Sequence, residues 1–465
     1  MIRALYDTFK PVVGVALRWY YQSLSTAHVE RIPLDGPIFL AANHPNSLTD
    51  AMVVGWTSPR RVRFTAKATL FQNPLAARVL RMVGVVPLRR AADERASAEP
   101  HAAQPAVGTA TPDAARNAAS FAAVADALAE QACVVVFPEG KTHDEPYLAP
   151  IRTGLARMAL MARDERGVRG IRIVPIGLLF ERKAEPRTRI LLQVGELIDV
   201  DSFAAGPSAV ATLTDVIEQR LRAVTLNFEN HADADRVQLL GETLAALVEP
   251  TTSITDGAAP LALTMSLVRR IERAQQVLRS RADATITARI DAFEQRLRAF
   301  RDRLHRERLD VHDIGIDTSV SLGTRFIARE LLIAAIMVPV AAWGRVTHVV
   351  PLRLARVLAL RNVQALDEPP MRTFVIGLVL VLATYAVYVA AIARFAGPWW
   401  ALAFLLTLVP SASSDLRYGD RVRRARARAR AYARFRSDPS FQRELLGDAE
   451  FLRSEAGALE ALSLA

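Results

Sequence analysis

The sequence predicts an α/β fold: a central sheet flanked by helices, followed by a helical region and a C-terminal transmembrane hairpin. Three observations lead to this prediction. Between residues 28 and 200, short apolar runs alternate with amphipathic stretches, which is typical of a layered α/β domain. Between residues 208 and 310, apolar residues recur at spacings of three and four, as they do on one face of a helix. Two uncharged runs of twenty residues then follow, at 374–393 and 395–414.

Composition and charge point to an anionic partner. The chain carries 59 lysine and arginine residues against 48 aspartate and glutamate residues, a formal net charge of +11. Such a balance favours nucleic acid, anionic lipid or phosphorylated ligands. Arginine is spread through helical and membrane-flanking segments without a recognised nucleic-acid-binding module, so we expect no nucleic-acid partner. Lysine occurs only at positions 10, 67, 141 and 183, and a lysine retained in so arginine-rich a chain can mark a need for a compact ammonium group.

The N-terminal segment, residues 1–27, is predicted to form an amphipathic helix rich in aromatic residues. Two interpretations remain open. The helix could lie in a membrane interface, because its aromatic residues stand beside Arg3, Lys10 and Arg18. It could equally pack on the main domain.

The main domain, residues 28–230, contains six predicted strands. They lie at Ile38–Ala42, Val62–Thr65, Val83–Leu88, Cys133–Phe137, Ile171–Leu179 and Ile190–Val194. Cys133 is the only cysteine, and its apolar surroundings in the sequence predict a buried thiol without an intrachain disulfide. Residues 91–111 are rich in alanine, proline, glycine and glutamate, which predicts a disordered surface insertion.

The C-terminal half is predicted to be helical and membrane-associated. Residues 231–320 are expected to form a helical hairpin, 321–436 a membrane region and 437–465 a tail. The uncharged runs at 374–393 and 395–414 are each long enough to span a hydrocarbon core of roughly 30 Å. The run at 331–344 contains Pro339 and is short, so a re-entrant or interfacial segment is expected there. Arginine flanks both sides of the hairpin, which places both flanks in the cytoplasm.

The first motif with chemical content is the segment 43–50, which follows the strand predicted at 38–42. A histidine leaving a strand end, His44, with a nearby carboxylate, Asp50, suits a general base oriented by an acid. On a continuous helix, residues six apart would lie about 240° apart around the axis. A turn at Pro45-Asn46 must therefore bring the pair together. Taken alone, the pair could also be a core histidine and a helix-capping aspartate.

Two further segments offer cations for a phosphate. Lys67 ends one predicted strand, and Arg89-Arg90 follow another. The segment Phe137–His143 reads Phe-Pro-Glu-Gly-Lys-Thr-His, so that a buried strand runs into a glycine-containing turn whose backbone N–H groups and Lys141 could cradle a phosphate. Thr142 and, further on, Arg152 are candidate ligand contacts. Glu139 could hold the turn or contact a ligand hydroxyl, and a polar role in the turn is expected for His143.

These blocks, together with Ile173–Gly177, resemble in order and spacing those of the glycerolipid acyltransferase superfamily, which includes lysophosphatidate and glycerol-3-phosphate acyltransferases. The resemblance covers about residues 28–230. Two departures from the usual pattern occur: five residues separate His44 from Asp50 instead of four, and Lys141-Thr142 replace the usual Thr-Arg. Both departures resemble the glycerol-3-phosphate/dihydroxyacetone-phosphate acyltransferase-like branch.

The resemblance implies roles for individual residues. It assigns His44 as the base with Asp50 as its partner, and Arg90, Glu139 and Gly140 to acceptor binding. It also implies acyl-CoA or acyl carrier protein as the acyl donor, and neither a cofactor nor a metal. The residues themselves add Lys67, Lys141, Thr142 and Arg152 as expected substrate contacts.

We therefore expect a membrane-associated enzyme of phospholipid biosynthesis that moves a fatty acyl group to a hydroxyl of glycerol-3-phosphate. Its partners would be the acyl donor, the phosphorylated glycerol acceptor and membrane lipids, and its catalytic domain would lie on the cytoplasmic side. One alternative acceptor is lysophosphatidate or another lysolipid. An alternative of another class is a non-catalytic lipid-binding membrane protein, against which the intact His44 and Asp50 argue.

Overall fold

The computed structural model describes residues 3–72, 74–82, 84–88, 112–248, 261–281, 283–361, 363 and 368–464. The chain divides into two compact units. The first comprises Met1–Asn227 with Ala359–Phe374, and the second comprises Phe228–Leu358 with Val375–Ala465. The insertion predicted at 91–111 lies outside the described residues.

The first unit is an eight-stranded sheet with helices packed against it. Its helices are α1 (Arg3–Tyr20), α2 (Leu48–Thr57), α3 (Pro74–Met82), α4 (Pro112–Ala129), α5 (Gly154–Asp164) and α6 (Ala209–Arg222). Its strands are β1 (Ser23–Ala27), β2 (Ile38–Ala42), β3 (Val62–Lys67), β4 (Val86–Leu88), β5 (Cys133–Val136), β6 (Arg172–Phe180), β7 (Arg189–Val194) and β8 (Ile198–Asp199). The α/β prediction is confirmed, and β1 and β8 are the strands that it did not include.

The order of the strands places two chain segments side by side at one edge of the sheet. The order is β1-β7-β6-β2-β5-β3-β4, with β8 paired to β6. Strand β2 runs parallel to β5 and to β6, whereas β7 and β8 are antiparallel to β6. All residues of β2 and β5 are buried, as expected for parallel strands covered on both faces. The carboxyl ends of β2 and β5 therefore meet at one edge, where open α/β sheets commonly bind ligands.

Helix α1 packs on the first unit through its aromatic residues. Tyr6, Leu17 and Tyr20 are buried, as is Tyr21 immediately after the helix, in the same core as β2 and β6. The hydroxyl of Tyr6 donates a hydrogen bond to the carbonyl of Gly55 in α2. Of the two interpretations of the N-terminal helix, packing on the main domain is the one observed.

The second unit is helical. It contains α7 (His231–Val248), α8 (Leu261–Ser280), α9 (Ala284–Arg306), α10 (Val320–Ala359), α12 (Pro398–Ser437) and α13 (Pro439–Leu464), and α11 (Glu368–Ala396) begins in the first unit and continues in the second. The buried faces of α7, α8, α9 and α13 form one core. Residues 437–465, expected as a tail, instead form α13, which buries Phe441, Leu445 and Leu452 in this core.

The apolar helices differ from those predicted. Among the described residues, two helices are long and apolar enough to cross a membrane: Val320–Ala359 and Pro369–Ala396, with mean hydropathies of 1.8 and 2.5. Only 11% and 6% of their apolar windows are buried, so they are not core helices of the unit. The second contains the run predicted at 374–393. The first contains the run at 331–344, where a continuous helix replaces the expected re-entrant segment. The run at 395–414 begins at the end of α11 and lies mostly in α12, which continues into an arginine-rich stretch and is not one of the two.

Candidate active site

The loop between β2 and α2 brings His44 and Asp50 together. His44 lies two residues beyond the end of β2, and Asp50 lies in the first turn of α2. Between them, Ser47 adopts a positive φ of 50° and reverses the chain immediately before the helix. As a result, His44 Nδ1 lies 2.8 Å from Asp50 Oδ2. The turn that the spacing required is present, and the two side chains form a hydrogen-bonded pair.

Asp50 is completely buried beneath this loop. Its Oδ2 also accepts the backbone N–H of Asn46 at 2.7 Å, which fixes the carboxylate relative to the turn. Its Oδ1 has no hydrogen-bond partner among the described residues. Burial raises the pKa of the Asp50 carboxyl, and the hydrogen bond with His44 opposes that rise. The contact with His44 therefore favours the charged form of Asp50.

The ring of His44 is oriented by two further contacts. It stacks on the ring of Phe137, with 4.0 Å between ring centroids and 16° between planes. Its backbone N–H donates to Glu139 Oε1 over 2.6 Å. When Nδ1–H donates to Asp50, Nε2 carries the lone pair and is the nitrogen left for a substrate. The side chain is 19% exposed, so a ligand can approach it.

Glu139 anchors the turn that follows β5. Oε1 accepts from His44, and Oε2 accepts the backbone N–H of Ala149 at 2.9 Å and is ion-paired with His143 Nε2. Gly140, the next residue, has a φ of 77°, a conformation that favours glycine. Both carboxylate oxygens of Glu139 are thus engaged within the protein. Of the two roles considered for Glu139, holding the turn is the one that the structure displays, and His143 has a polar role in the same turn.

The residues expected to bind phosphate are only partly described. Lys141 and Arg152 are exposed on the loop after β5, and within the described part of the chain neither side chain has a hydrogen-bond or ion-pair partner. The backbone N–H of Arg152 donates to the carbonyl of Pro138 at 2.8 Å, which keeps this residue beside the turn. Thr142 is half-buried in the same loop. Lys67 ends β3, but its side chain lies outside the description, as does the whole of Arg90.

Lys183 is a residue of the site that the motifs did not indicate. Its Nζ donates to the carbonyls of Pro45 and His143, each at 3.2 Å, and is ion-paired with Asp144. One ammonium group therefore ties the loop that carries His44 to the turn after β5. The available signal in the sequence was its scarcity, because it is one of four lysines among 59 basic residues.

Two asparagines of the first motif also have structural roles that the sequence did not specify. Asn43 pairs with the backbone of Leu178 through both its side-chain atoms, at 3.1 and 2.7 Å, and so attaches the end of β2 to β6. The buried Asn46 donates to the hydroxyl of Tyr21 and to the carbonyl of Lys183. A metal centre is not indicated, because the described residues contain no group of three histidine, cysteine or acidic side chains able to hold an ion.

Comparison with known proteins identifies this arrangement. A family model described as acyltransferase matches residues 25–179, which contain β1 through most of β6 and every residue of the His44–Asp50 and Glu139 contacts. Residues 25–179 are thus similar to the acyltransferase family. The matched region includes the segments that converge on the carboxyl ends of β2 and β5.

Relatives of the acyltransferase domain include two proteins of Saccharomyces cerevisiae. The one named glycerol-3-phosphate O-acyltransferase 2 is 35% identical over 130 residues, which is 27% of this chain and 17% of that protein. The one named glycerol-3-phosphate O-acyltransferase 1 is 26% identical over 182 residues, which is 37% of this chain and 23% of that protein. The matches thus cover about a fifth of the length of these curated relatives.

A solved structure of the 1-acyl-sn-glycerophosphate (LPA) acyltransferase PlsC from Thermotoga maritima is also similar. It shares 17% identity, with a TM-score of 0.34, over 47% of this chain and 78% of that chain.

Proposed function

We propose that the protein is a membrane-associated O-acyltransferase that moves a fatty acyl group from acyl-CoA or acyl carrier protein to a hydroxyl of glycerol-3-phosphate. The observation that carries the proposal is the His44–Asp50 pair, in which Nδ1 is held at 2.8 Å and Nε2 is left for a substrate. The match of residues 25–179 to the acyltransferase family model and the names of the two yeast relatives support the same reaction.

The proposed mechanism follows from the orientation of His44. Its Nε2 removes the proton of the acceptor hydroxyl as the oxygen attacks the thioester carbonyl. The resulting imidazolium is stabilised by Asp50, and the proton passes to the thiolate when the tetrahedral intermediate collapses. General base catalysis of this kind is worth about 10²–10⁴ in rate. Neither a metal nor a cofactor takes part in the proposed steps.

The acceptor phosphate is proposed to bind beside the turn after β5. Lys141 and Arg152 are exposed there without partners in the described part of the chain, so their charges are available to a ligand. Lys67 and Arg90 are proposed as further phosphate contacts, because Lys67 ends β3 and Arg90 comes two positions after β4 in the sequence, and β3 and β4 run parallel to β5. Gly140 and Thr142 would contribute backbone and hydroxyl groups.

Membrane association is proposed from the two apolar helices, whose windows are almost entirely exposed. Within the first unit, Met371 Sδ lies 3.7 Å from Ser47 Oγ, so the first turn of α11 contacts the loop that carries His44. We place the acyltransferase domain on the cytoplasmic side, because Arg361 belongs to the same compact unit as this domain and arginines beside apolar helices are usually cytoplasmic. A cysteine replacing Val363 should then resist an impermeant maleimide in intact cells and react after permeabilisation; reaction in intact cells would contradict this orientation.

The function is tested by acyl transfer from radiolabelled palmitoyl-CoA, or from palmitoyl-acyl carrier protein, with the protein in nanodiscs. Glycerol-3-phosphate, dihydroxyacetone phosphate and lysophosphatidate are offered in parallel. Transfer to glycerol-3-phosphate that is lost in His44→Ala and kept in His305→Ala, an exposed histidine of α9, supports the proposal. Preference for lysophosphatidate would change the acceptor, and no transfer to any acceptor by folded protein would favour a non-catalytic lipid-binding role.

A further inference from the structure

The second unit contains a partly open apolar cavity of about 350 Å³. Four helices, α7, α8, α9 and α13, supply its walls. Its apolar lining includes Leu240, Leu244, Leu267, Leu278, Phe293 and Leu459. No residue of the His44 site contributes to it, so the cavity is a separate feature of the chain.

The volume and lining of this cavity suit a hydrocarbon ligand. Protein interiors are close-packed and contain few voids larger than a water molecule. A volume of about 350 Å³ instead falls at the lower end of the roughly 300–1,000 Å³ of small-molecule sites. Apolar walls give ordered water too few hydrogen-bond partners. The space therefore fits one hydrocarbon chain better than water, and is small for a lipid with two chains.

The polar lining of the cavity carries one positive charge that has no partner among the described residues. Arg270 is paired with Glu460 through two contacts, Nε to Oε1 at 2.7 Å and Nη2 to Oε2 at 2.5 Å, so these two charges cancel. Arg453 also lines the cavity and is exposed, and it has no hydrogen-bond or ion-pair partner among the described residues. A guanidinium group binds a carboxylate through two parallel hydrogen bonds. The remaining charge therefore favours an anionic head on the ligand.

We propose that this cavity binds a free long-chain fatty acid, with the hydrocarbon chain among the leucines of the four helices and the carboxylate on Arg453. The two features that support this ligand are an apolar space for one hydrocarbon chain and, among the described lining residues, one arginine without a partner. It is independent of acyl transfer at His44, because binding here requires no chemistry and no residue of the acyltransferase domain.

Glycine positions on α13 provide a matched pair of variants. Gly457 lines the cavity, and a Cβ added there would meet no atom within 4 Å. Gly457→Phe is therefore expected to add a ring at the cavity lining without a clash at its Cβ. Gly447 lies on the same helix, also has no atom within 4 Å of an added Cβ, and is not part of the lining. Because both changes replace a helical glycine, their effects on helix propensity are alike.

The experiment is photocrosslinking of the full-length protein in nanodiscs with a diazirine derivative of palmitic acid. Peptides from α7, α8, α9 or α13 should be labelled, with labelling reduced at least about tenfold in Gly457→Phe and unchanged in Gly447→Phe. Circular dichroism melting of both variants checks that each is folded. Labelling of these helices that persists in Gly457→Phe, or labelling confined to other segments, would overturn the proposal.

The carboxylate is tested with the corresponding fatty alcohol as a second probe. The acid should label at a concentration about tenfold lower than the alcohol, as expected for a charge-assisted hydrogen bond. Arg453→Gln should remove that difference, whereas Arg443→Gln, an exposed arginine on the same helix, should keep it. Equal labelling by acid and alcohol in the unchanged protein would rule out the assigned role of Arg453. If lysophosphatidate or palmitoyl-CoA prevents labelling by the probe and palmitate does not, the ligand is a different single-chain lipid.

Discussion

The backbone nitrogen of His44 lies 2.6 Å from Glu139 Oε1, although the two residues are ninety-five positions apart in the sequence. The contact joins the loop after β2 to the turn after β5, which are neighbouring parallel strands. The position of the proposed base is thus determined by a carboxylate of a different motif. Two motifs that look independent in the sequence act as one structural unit.

Removing the Glu139 carboxylate should therefore damage both stability and catalysis. Glu139→Ala leaves the N–H groups of His44 and Ala149 and the ring of His143 without their acceptor. A buried donor left unsatisfied costs about 1–3 kcal/mol, so the free energy of unfolding should fall by at least that amount, together with acyl transfer. Urea unfolding and the transfer assay measure the two effects. Glu145→Ala, an exposed glutamate of the same loop, should change neither, and a stable, active Glu139→Ala protein would refute the anchoring role.

Asp50 is expected to act by fixing the orientation and tautomer of the His44 imidazole. In Asp50→Asn the amide can donate to Nδ1 and so favour the tautomer with the proton on Nε2, which cannot act as a base. We expect a loss of roughly 10²–10⁴ in kcat. Since the two residues act as one unit, the double variant His44→Ala with Asp50→Asn should be no slower than His44→Ala alone. Losses that multiply in the double variant would show that Asp50 acts independently.

Lys183 is expected to act as a positioning residue. Lys183→Gln removes the ammonium group that joins the carbonyls of Pro45 and His143. A small displacement of a catalytic loop can cost about 10²-fold, so kcat should fall by about 10- to 100-fold. Arg182→Gln is the control, because this neighbouring side chain is 60% exposed and pairs only at the surface with Glu185. If kcat falls equally in both variants, the cause is local charge and not the link between the loops.

Gly177 of β6 should not tolerate a side chain. A Cβ at this position would lie 1.9 Å from the carbonyl oxygen of Val224, a backbone atom that cannot rotate away. Gly177→Ala should therefore lower the free energy of unfolding by about 1–3 kcal/mol or more. Gly154→Ala, where an added Cβ meets nothing within 4 Å at the start of α5, should leave it unchanged or raise it slightly. Thermal unfolding of the two variants provides the comparison.

The buried carboxyl group of Asp313 is expected to make the stability of the second unit depend on pH. Burial, reinforced by Asp310 and opposed by Arg428, raises the pKa of Asp313 from 3.8 to about 7. A carboxyl group whose pKa is higher in the folded protein than in the unfolded chain contributes stability that is fully present below the unfolded pKa. That contribution is lost as pH rises through the folded pKa. Stability should therefore fall between about pH 4 and pH 7. The folded pKa lies about three pH units above the unfolded one, and each unit corresponds to about 1.4 kcal/mol. The free energy of unfolding should therefore fall by an amount on the order of 4 kcal/mol.

The check is urea unfolding from pH 4.5 to 8 in one detergent. The decline should be smaller in Asp313→Asn, which has no carboxyl to ionise. Asp302→Asn, an exposed residue of α9, should reproduce the unchanged protein. Identical pH profiles for Asp313→Asn and the unchanged protein would assign the decline to other groups.

The sequence predicted the fully buried strands best, because their residue pattern is simple. The strand predicted at Ile38–Ala42 is β2 residue for residue, because a parallel strand buried on both faces is a continuous apolar run. Strand β1 was missed because Ser23–Ala27 lies at the edge of the sheet and is mostly polar and partly exposed. Helix α13 was missed although Phe441, Leu445 and Leu452 follow a helical spacing, since its surface residues dilute the signal.

For the site, the motifs located His44, Asp50 and Glu139, and the spacing correctly required a turn between the first two. The contact between Glu139 and His44 and the donors of Lys183 depend on strand order, which places β5 beside β2. The residues around each motif do not indicate which strands are neighbours in the sheet. The re-entrant segment expected at 331–344 was wrong because Pro339 and the short uncharged run suggested a break, whereas α10 continues as a helix through Pro339.

Cys133 lies within β5, 1% exposed, and burial raises the pKa of its thiol to about 12. This thiol is the only one in the sequence, and at neutral pH it is protonated and unreactive. Any cysteine introduced at the surface would be the sole reactive one, with no need to alter the native residue. Spin labels or fluorophores could thus be attached in pairs to measure distances between the two units directly.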